Sequence, residues 1–412
     1  MNDDAAQFQC RTKGDAVIDL QGARILQVIP ALDAGGAERT TIEISRAIVD
    51  ANGKAMVASR GGRLTDELDA IGAAFFQLPV DRKNPFDLVR NVYRLAALIK
   101  RHGIQLVHVR SRAPAWSALF AAQRCNIPLV ATYHGAYSAS SFIKNFYNSS
   151  MTRGDLVIAN SQFTARTIRN FYGVPEQKIA IIPRGADLDR FNPKTTSAER
   201  VLAARRAIGV EADKAFLFLL PGRLTEWKGQ RLAIDAFQRF LQDRPDRYNF
   251  LLALIGDEQG RHDYREALLR KIDGYGLNAQ ILIPGHFDDM PAAYLAADVI
   301  LAPSLRPEAF GRVSVEAGAM GRPVIAAAHG GAMETVKDGE TGFLFPPGDT
   351  SSLKAAMDEL AWMSRREREN IGVLAQHWVK KRYSSAAMAK STLAAYGRLL
   401  LISDLVGDGI TT

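Results

Sequence analysis

Short runs of apolar residues alternate along this chain with longer stretches whose apolar residues recur every three or four positions. The short runs are typical of strands buried on both faces of a parallel sheet, and the longer stretches of helices that cover such a sheet. In the first half, strands are predicted over residues 24–29, 55–59, 74–78, 106–109, 129–132, 156–159 and 179–182. Helices are predicted between them, over residues 37–51, 87–101, 113–124 and 162–171.

The alternation is interrupted over residues 185–197, where turn formers and polar residues predict a linker. A second series follows, with strands over residues 215–220, 250–255, 280–283, 299–302 and 324–326 and helices beginning near residues 229, 263, 290 and 311. The chain ends in a predicted helix from about residue 384 to 401. We therefore expect an α/β fold with two Rossmann-like, doubly wound parallel-sheet domains that face each other across a cleft.

Composition agrees with two domains and narrows the class of protein. A chain of 412 residues is too long for one ordinary core, and 47% hydrophobic with 23% charged residues is ordinary for a soluble globular protein. Residues 1–22 are polar, lack the pattern of a secretory signal and are predicted to form a disordered extension. The widely spaced Cys10 and Cys125 predict no disulfide framework, which fits a cytoplasmic protein. A net charge of +8 favours anionic partners without choosing among nucleotide diphosphates, acidic lipids and nucleic acid.

Two candidate phosphate-binding loops follow predicted strands. Gly35 and Gly36 lie between the first strand and a helix, where glycines let the backbone approach a ligand and helix amides face an anion. No G-x-G-x-x-G fingerprint is present, so a plain tight turn stays open as the alternative. Arg223 and Lys228 lie five residues apart in PGRLTEWKGQ. Two such cations suit a diphosphate, although each is also compatible with an unspecialised surface charge.

A pair of acids, Glu308 and Glu316, occurs in the segment RPEAFGRVSVEA. Glu308 follows the strand predicted over residues 299–302, and Glu316 lies inside the next helix, whose first amides can face phosphates. Carboxylates accept hydrogen bonds from sugar hydroxyls and repel phosphate. The pair therefore suits a ligand that carries a sugar beside its phosphates. The alternative is that Glu316 is only a charge near the start of the helix and Glu308 only a solvated acid in the loop.

In this order, the motifs resemble the retaining family 4 glycosyltransferases of GT-B fold, also called group 1 glycosyltransferases. The resemblance extends from about residue 24 to 401. Further matching segments are ATYHG (131–135), IANS (158–161), IPRGADLDRF (182–191), LIGDE (254–258), GRPVIA (321–326), GGAMETV (330–336) and DGETGFLFPPGD (338–349). It implies a metal-independent hexosyltransferase that moves a hexose, with retention, from a nucleotide-diphosphate sugar to a glycan or glycolipid acceptor. Residues 23–192 would form the acceptor domain, joined by a C-terminal helix over 384–412 that crosses back to it, and residues 198–383 the donor domain.

The resemblance also implies roles for individual residues. Arg223 and Lys228 would grip the donor diphosphate and stabilise the departing nucleotide in place of a metal, since no Asp-x-Asp motif lies between the domains. Glu316 would hold the ribose and Glu308 the hydroxyls of the donor sugar. Other implied donor contacts come from Gly35, Gly36, Gly256, Phe310, Gly311 and Arg312. Donor specificity would depend on the loops around Gly256 and His286.

Two residues are candidates on the acceptor side. Arg184 stands where the family often has asparagine, in the segment PRGAD. It either favours an anionic acceptor or has no consequence. His134 follows the predicted strand 129–132, where it would bind the donor sugar or the acceptor, although a lone histidine is more often structural. Retention in this family is ascribed to front-face attack in which the leaving phosphate takes the acceptor proton, so Glu308 is interpreted as a sugar binder and not as a nucleophile.

Two segments suggest contact with a membrane. Residues 81–103 form a basic amphipathic pattern that suits an acidic membrane surface, and equally a sheet-covering helix with a solvated basic face. The aromatic residues of segment 141–153 could meet an acceptor or lipid. Because many relatives build glycolipids, we expect peripheral association at the cytoplasmic face and a role in lipopolysaccharide-type envelope synthesis.

Three other functions compete with sugar transfer. An epimerase or phosphorylase of the same fold would also bind phosphates, but the epimerase pattern is not apparent and phosphorylases need a much longer chain. A non-catalytic nucleotide-binding module would lack the paired acids and cations. A nucleic-acid binder is suggested only by the positive charge, because the basic residues are scattered. Neither the donor nor the acceptor is identified by the sequence.

Overall fold

The structure is a computed structural model of the chain. It describes residues 19–33, 36–135, 141–210, 215–242, 244 and 249–407. Contacts divide the chain into two compact units, each described here by itself. The first comprises Met1–Asn160, Ala165–Ile182 and Ala386–Thr412, and the second Ser161–Thr164 and Pro183–Ser385. Most of the extension predicted over residues 1–22, including Cys10, lies outside the described residues.

Each unit contains one parallel sheet. Sheet 1 has the order β3-β2-β1-β4-β5-β6-β7, and sheet 2 the order β10-β9-β8-β11-β12-β13. The strands of sheet 1 are β1 (Arg24–Val28), β2 (Lys54–Ser59), β3 (Ala74–Gln77), β4 (Leu106–Val109), β5 (Leu129–Tyr133), β6 (Leu156–Ala159) and β7 (Ile179–Ile181). Those of sheet 2 are β8 (Phe216–Pro221), β9 (Phe250–Ile255), β10 (Ile281–Gly285), β11 (Val299–Ala302), β12 (Val324–Ala327) and β13 (Gly342–Phe345). The predicted fold class of two Rossmann-like domains is confirmed.

Helices fill the connections between the strands. In the first unit's part of the chain they are α1 (Gly36–Asp50), α2 (Thr65–Ala70), α3 (Pro85–His102), α4 (Arg112–Cys125), α5 (Phe142–Ser149) and α6 (Gln162–Tyr172). Those that follow are α7 (Ala198–Ile208), α8 (Gln230–Gln242), α9 (His262–Gly274), α10 (Met290–Ala296), α11 (Arg312–Ala319), α12 (Ala332–Thr335), α13 (Thr350–Trp362), α14 (Arg365–Arg382) and α15 (Ser385–Gly407). None of the described helices is long and apolar enough to cross a membrane.

Burial explains why the strands have so few polar residues. Every residue of β4, β5 and β6 is buried, because a parallel sheet with helices on both faces leaves neither face to water. His108 of β4 and Thr132 of β5 are polar, and they are hydrogen-bonded to each other. His108 of β4 lies 2.6 Å from the Thr132 hydroxyl through Nε2 and 2.5 Å from the Tyr396 hydroxyl through Nδ1.

Tyr396 attaches the last helix to the first unit. Its side chain is fully buried, and residues from Ala386 onward group with that unit. Burial and the nearby Arg110 lower the pKa of His108 well below its usual range, so the imidazole is neutral where it meets Tyr396. The C-terminal helix therefore returns to the first unit, as the fold class requires.

Two predicted boundaries differ from the structure: the end of the N-terminal extension and the end of the first domain. Leu20, inside the predicted extension, is buried, and its amide donates to the Ala51 carbonyl at 2.8 Å. This corrects the end of the extension, because an apolar side chain beside the start of the sheet gains by packing there. Residues 183–192 group with the second unit, where Ala186 exchanges backbone hydrogen bonds with Tyr383 and Ser385.

Strand order reverses once in each sheet, between β1 and β4 in sheet 1 and between β8 and β11 in sheet 2. At such a switch point the connections on the two sides lead away from each other and leave a crevice at the carboxyl ends of the strands. Ligands of open parallel sheets bind in this crevice, so each unit has one topologically defined place for a ligand.

Candidate active site

The switch point of the second unit brings together two residues that are 80 positions apart in the chain. Lys228 follows β8 in a short 3₁₀ turn, Glu226–Lys228, and Glu308 follows β11. Lys228 Nζ lies 2.7 Å from Glu308 Oε1, with only 14% and 19% of the two side chains exposed. Such a largely buried pair holds both charges in place more firmly than a surface pair does.

Further contacts orient this ion pair. The Ser304 hydroxyl donates to the same Glu308 oxygen. The ammonium of Lys228 lies 4.5 Å from the centre of the Trp227 ring, at the distance of a cation–π contact. An ammonium has three N–H donors, so Lys228 can keep Glu308 as a partner and still donate to a phosphate.

Glu316 is held by different partners on α11. Its Oε1 accepts from Arg312 Nε at 2.5 Å, and its Oε2 accepts from the Tyr294 hydroxyl at 2.9 Å. Burial and the Glu316 carboxylate raise the pKa of Tyr294 well above its usual range, so this hydroxyl stays protonated and donates. The carboxylate has lone pairs left to accept from further hydroxyl groups.

Two glycines hold the Glu308 loop close to the loop after β12. The Gly331 amide donates to the Glu308 carbonyl at 2.8 Å, and His329 Nε2 lies 2.8 Å from the Ser304 carbonyl oxygen. Gly330 has φ +59°, and a Cβ there would collide with the Glu308 carbonyl oxygen and lie 2.8 Å from its nitrogen. Only glycine fits this close approach.

Arg223 lies in the loop after β8 and is exposed. Its Nη1 is 3.4 Å from Gln259 Oε1, and its carbonyl accepts from the buried Gln230 side chain at 2.9 Å. Gly256, at φ +150°, packs against Gly222 so closely that a Cβ would collide with the Gly222 carbonyl. The two loops are therefore packed tightly against each other, although no hydrogen bond joins the side chains of Arg223 and Lys228.

The loop before α11 contributes mainly backbone. Phe310 is buried, and its ring lies 5.7 Å from that of Tyr383, so its side chain belongs to the core and leaves only the main chain for a ligand. Gly311 adopts φ +83° immediately before α11, whose first amides have no partner within the helix. The helix start can therefore bind an anion.

The other candidates are not brought to this site by contacts within the second unit. Gly35 lies outside the described residues. Gly36 begins α1 and His134 follows β5, both in the first unit, and His134 is half-buried. Arg184 is half-buried in the second unit. The roles of these four residues stay predictions.

Sequence reasoning missed several residues of the site. Tyr294 fixes Glu316, while Ser304 and His329 fix Glu308 and its loop. Ser314 lines a small cavity beside Glu308, and its buried hydroxyl has no hydrogen-bond partner among the described residues. The segment GGAMETV did carry a signal, because two adjacent glycines before a short helix indicate a close backbone approach.

Comparison with known proteins identifies the family of this chain. The family described as Glycosyltransferase Family 4 matches residues 34–190, and the family described as Glycosyl transferases group 1 matches residues 203–378. The crystal structure of a glycosyltransferase from Rickettsia africae is 32% identical, covers 92% of this chain and 99% of its own, and has a TM-score of 0.83. The chain belongs to the family 4, group 1 glycosyltransferases.

The names of two further relatives of this glycosyltransferase mention a ligand or a substrate. Anabaena Alr3699/HepE, solved in complex with UDP-glucose, is 26% identical, covers 90% of this chain and 98% of its own, and has a TM-score of 0.75. A D-inositol 3-phosphate glycosyltransferase of Geodermatophilus obscurus is 34% identical over 54% of this chain and 48% of its own length. The chain thus spans about half the length of the curated relatives it matches.

Proposed function

We propose that this protein transfers a hexose, with retention of configuration, from a nucleotide-diphosphate sugar to a hydroxyl group of a glycan or glycolipid. The observation that carries the proposal is the Lys228–Glu308 pair at the β8/β11 switch point, 2.7 Å apart and largely buried. It sets a cation for phosphate beside a carboxylate for sugar hydroxyls, and a nucleotide sugar needs both.

In the proposed reaction, the acceptor oxygen forms a bond to the anomeric carbon while the bond from that carbon to the diphosphate breaks. The acceptor proton passes to the leaving phosphate oxygen on the same face of the sugar, and the nucleoside diphosphate departs. Lys228, Arg223 and the amides at the start of α11 would stabilise the charge that develops on the diphosphate. Glu316, fixed by Tyr294 and Arg312, would accept from the ribose hydroxyls.

We propose that no metal ion takes part. Two side-chain cations and a helix start can supply the positive charge that a metal would otherwise bring to the leaving group. Among the described residues no three His, Cys, Asp or Glu side chains are grouped as metal ligands. The proposal predicts that chelation by EDTA leaves turnover unchanged.

A nucleotide screen tests the function. We expect one of UDP, GDP and ADP to raise the melting temperature, since a ligand that binds only the folded protein stabilises it in proportion to its occupancy. The matching radiolabelled nucleotide sugars, offered with lipid and glycan extracts, should then release the nucleoside diphosphate and label an acceptor.

Each rival function predicts a different product in the same assay. An epimerase would return an isomerised nucleotide sugar, and a phosphorylase would consume inorganic phosphate. A stabilising nucleotide without any sugar transfer or hydrolysis would support a non-catalytic binding module and contradict our proposal.

The chemical class of the acceptor is specified less closely than that of the donor. Lipopolysaccharide-type envelope glycolipids remain our proposal for the acceptor class, whereas the curated relatives are named for D-inositol 3-phosphate. Both classes offer hydroxyl groups beside phosphate.

The surface of the first unit supports peripheral binding to an acidic membrane. Helices α3, α4 and α5 together expose an aromatic surface, which we define as Phe86, Val89, Tyr93, Trp116, Phe120, Ile143 and Phe146. The side chains of Phe86 and Ile143 are 77% and 78% exposed. Trp116 stacks on Phe120 and on Phe146, with ring centres 5.7 and 4.9 Å apart, so the aromatic surface continues from α4 to α5.

Cations lie on the same surface. The Arg124 guanidinium is 5.3 Å from the Tyr93 ring, and that of Arg153 is 5.3 Å from the Trp116 ring. Arg90 and Lys144 are exposed on α3 and α5. Meanwhile α3 buries Leu95, Ala96 and Ile99 beneath the surface, so the helix both covers the sheet and presents apolar groups. Aromatic and basic side chains together are the composition of a surface that binds anionic lipid.

Cosedimentation with vesicles tests the membrane proposal. We expect binding to phosphatidylcholine vesicles containing phosphatidylglycerol, weaker binding to pure phosphatidylcholine, and loss of binding as salt screens the charges. Phe86→Ser combined with Ile143→Ser should lower binding several-fold. Val373→Ser with Leu374→Ser, two apolar residues that are 62% and 53% exposed on α14, is the control. Equal binding by both variants, or concentration-dependent dimerisation through this surface, would contradict the proposal.

A further inference from the structure

A small cavity lies beside Glu308 in the second unit. Ala302 and Ala327, the last residues of β11 and β12, line it together with Glu308 and with Ser314 of α11. The cavity has a volume of about 10 Å³. This is close to the smallest space that holds one water molecule, about 10–15 Å³, and it excludes a sugar ring or a phosphate. The cavity therefore matches a single water molecule in size.

The hydroxyl of Ser314 has no hydrogen-bond partner among the described residues, although the side chain is only 3% exposed. Hydroxyl side chains within helices often donate to a carbonyl four residues earlier, as those of Thr40, Thr41 and Thr392 do in this chain. Ser314 forms no such bond. Buried polar atoms are normally paired, and an unpaired one calls for a specific explanation. A partner within the cavity that Ser314 lines supplies this explanation.

Polar groups suited to a water molecule line the same cavity. Glu308 Oε1 accepts from Lys228 Nζ and from the Ser304 hydroxyl, whereas Glu308 Oε2 accepts no hydrogen bond within the described part of the chain. The Ser304 oxygen donates its proton to Glu308 and keeps lone pairs that can accept. With Ser314, these groups offer a water molecule three polar partners, and buried waters typically have two to four. The cavity is therefore polar enough as well as large enough for one ordered water.

We propose that one water molecule binds in this cavity and joins the Ser314 hydroxyl to the Glu308 carboxylate. Ser314 is then a positioning residue, which acts on Glu308 only through the water. A bridging water holds two polar groups nearly as well as a direct hydrogen bond does. The bridge holds Glu308 from the side of α11, so the orientation of the carboxylate does not depend on Lys228 and Ser304 alone. This inference rests on the proposed function, in which Glu308 accepts from the hydroxyl groups of the donor sugar.

The sign of a stability change tests the bridge without reference to catalysis. Ser314→Ala should lower the melting temperature by roughly 2–4 °C, the loss of about one hydrogen bond in a unit of this size. If the hydroxyl were unpaired, its removal would raise the melting temperature, because an unsatisfied buried polar group destabilises the fold. Ser117→Ala on α4 is the matched control, since that serine is also buried and its hydroxyl donates to the Leu88 carbonyl at 2.9 Å. A melting temperature that rises or stays unchanged in Ser314→Ala would overturn the inference.

Kinetics with the donor show whether the bridge acts on Glu308. Ser314→Ala should lower kcat/KM for the nucleotide sugar about three- to tenfold, the effect of losing one neutral hydrogen bond. The affinity for the nucleoside diphosphate alone should stay within about twofold of the wild type, because the proposed partners of Glu308 are the sugar hydroxyls. Ser117→Ala should change neither quantity. Equal losses of kcat/KM and of diphosphate affinity in Ser314→Ala, or an unchanged kcat/KM, would overturn the positioning role.

A crystal structure of the full chain distinguishes failure of this inference from failure of the proposed function. We expect one water molecule within about 3.0 Å of both Ser314 Oγ and a carboxylate oxygen of Glu308. A direct hydrogen bond between Ser314 and Glu308, or a cavity without water, would overturn the inference and leave the proposed function standing. The bound water in a protein that turns over no nucleotide sugar would reject the proposed function, and with it the role of Ser314 in positioning Glu308 for the donor.

Discussion

Replacement of Lys228 by alanine is expected to lower kcat/KM for the nucleotide sugar by about 10²–10³-fold, the usual effect of removing one group that stabilises developing negative charge. The loss has two causes. The diphosphate loses its buried cation, and the Glu308 carboxylate, 19% exposed and 2.7 Å from Lys228 Nζ, would then repel the diphosphate. Steady-state kinetics and the thermal shift with the nucleoside diphosphate measure the effect.

A matched lysine in the same unit gives the control. Lys271 Nζ forms a 2.7 Å ion pair with Asp235, at a similarly partial exposure, but lies on α9 away from the Glu308 loop. Lys271→Ala should leave kcat/KM within about twofold of the wild type, since a partly exposed pair contributes little and this one is outside the site. A Lys228→Ala variant that binds and turns over the donor like Lys271→Ala would sink the assignment of the site.

The double variant Lys228→Ala/Glu308→Ala is informative because the two residues form one ion pair. Removal of the carboxylate relieves the repulsion that Lys228→Ala creates, so nucleoside diphosphate binding should partly recover in the double variant. Sugar transfer should stay low, because the proposed partner of the sugar hydroxyls is also missing. Full additivity of the two losses in diphosphate binding would argue that the residues act independently.

Gly330→Ala is expected to damage both the stability of the second unit and the position of the loop that carries Glu308. The residue has φ +59°, and its new Cβ would collide with the Glu308 carbonyl oxygen, so the variant combines left-handed strain with a backbone clash. We expect a loss of roughly 3 kcal/mol or more in the free energy of unfolding. kcat/KM should fall as well, because the clash displaces the loop that carries Glu308.

Gly339→Ala separates the clash from the strain. Its φ is +73°, close to that of Gly330, but a Cβ there has nothing within 4 Å. This variant should lose only about 1 kcal/mol, a shift of roughly 2–4 °C in melting temperature for a unit of this size, and keep its activity. Equal melting temperatures for the two variants would show that the Glu308 loop is not held by the Gly330 contact.

Local patterns predicted the strands well because the strands are buried on both faces. In sheet 1 all seven predicted strands occur, each within one residue of its predicted ends. The missed strand, β13, begins with a glycine and carries partly buried residues at the sheet edge, so its apolar run is short. Several helices were also not predicted, and among them α14 has alternating charges and few apolar residues, although Ser364 and Glu367 form a capping box at its start.

The sequence by itself determined the fold class and the residue types of the donor loops, because periodicity and ordered motifs are local properties. It did not determine pairings. That Lys228 meets Glu308, that Tyr294 fixes Glu316, and that Gly330 packs on the Glu308 backbone all depend on strands distant in the chain being neighbours in the sheet. A cavity in the first unit, lined by Lys83, Arg112 and Tyr147 among others, likewise depends on the tertiary structure, because residues from separate connections converge only where the strand order reverses.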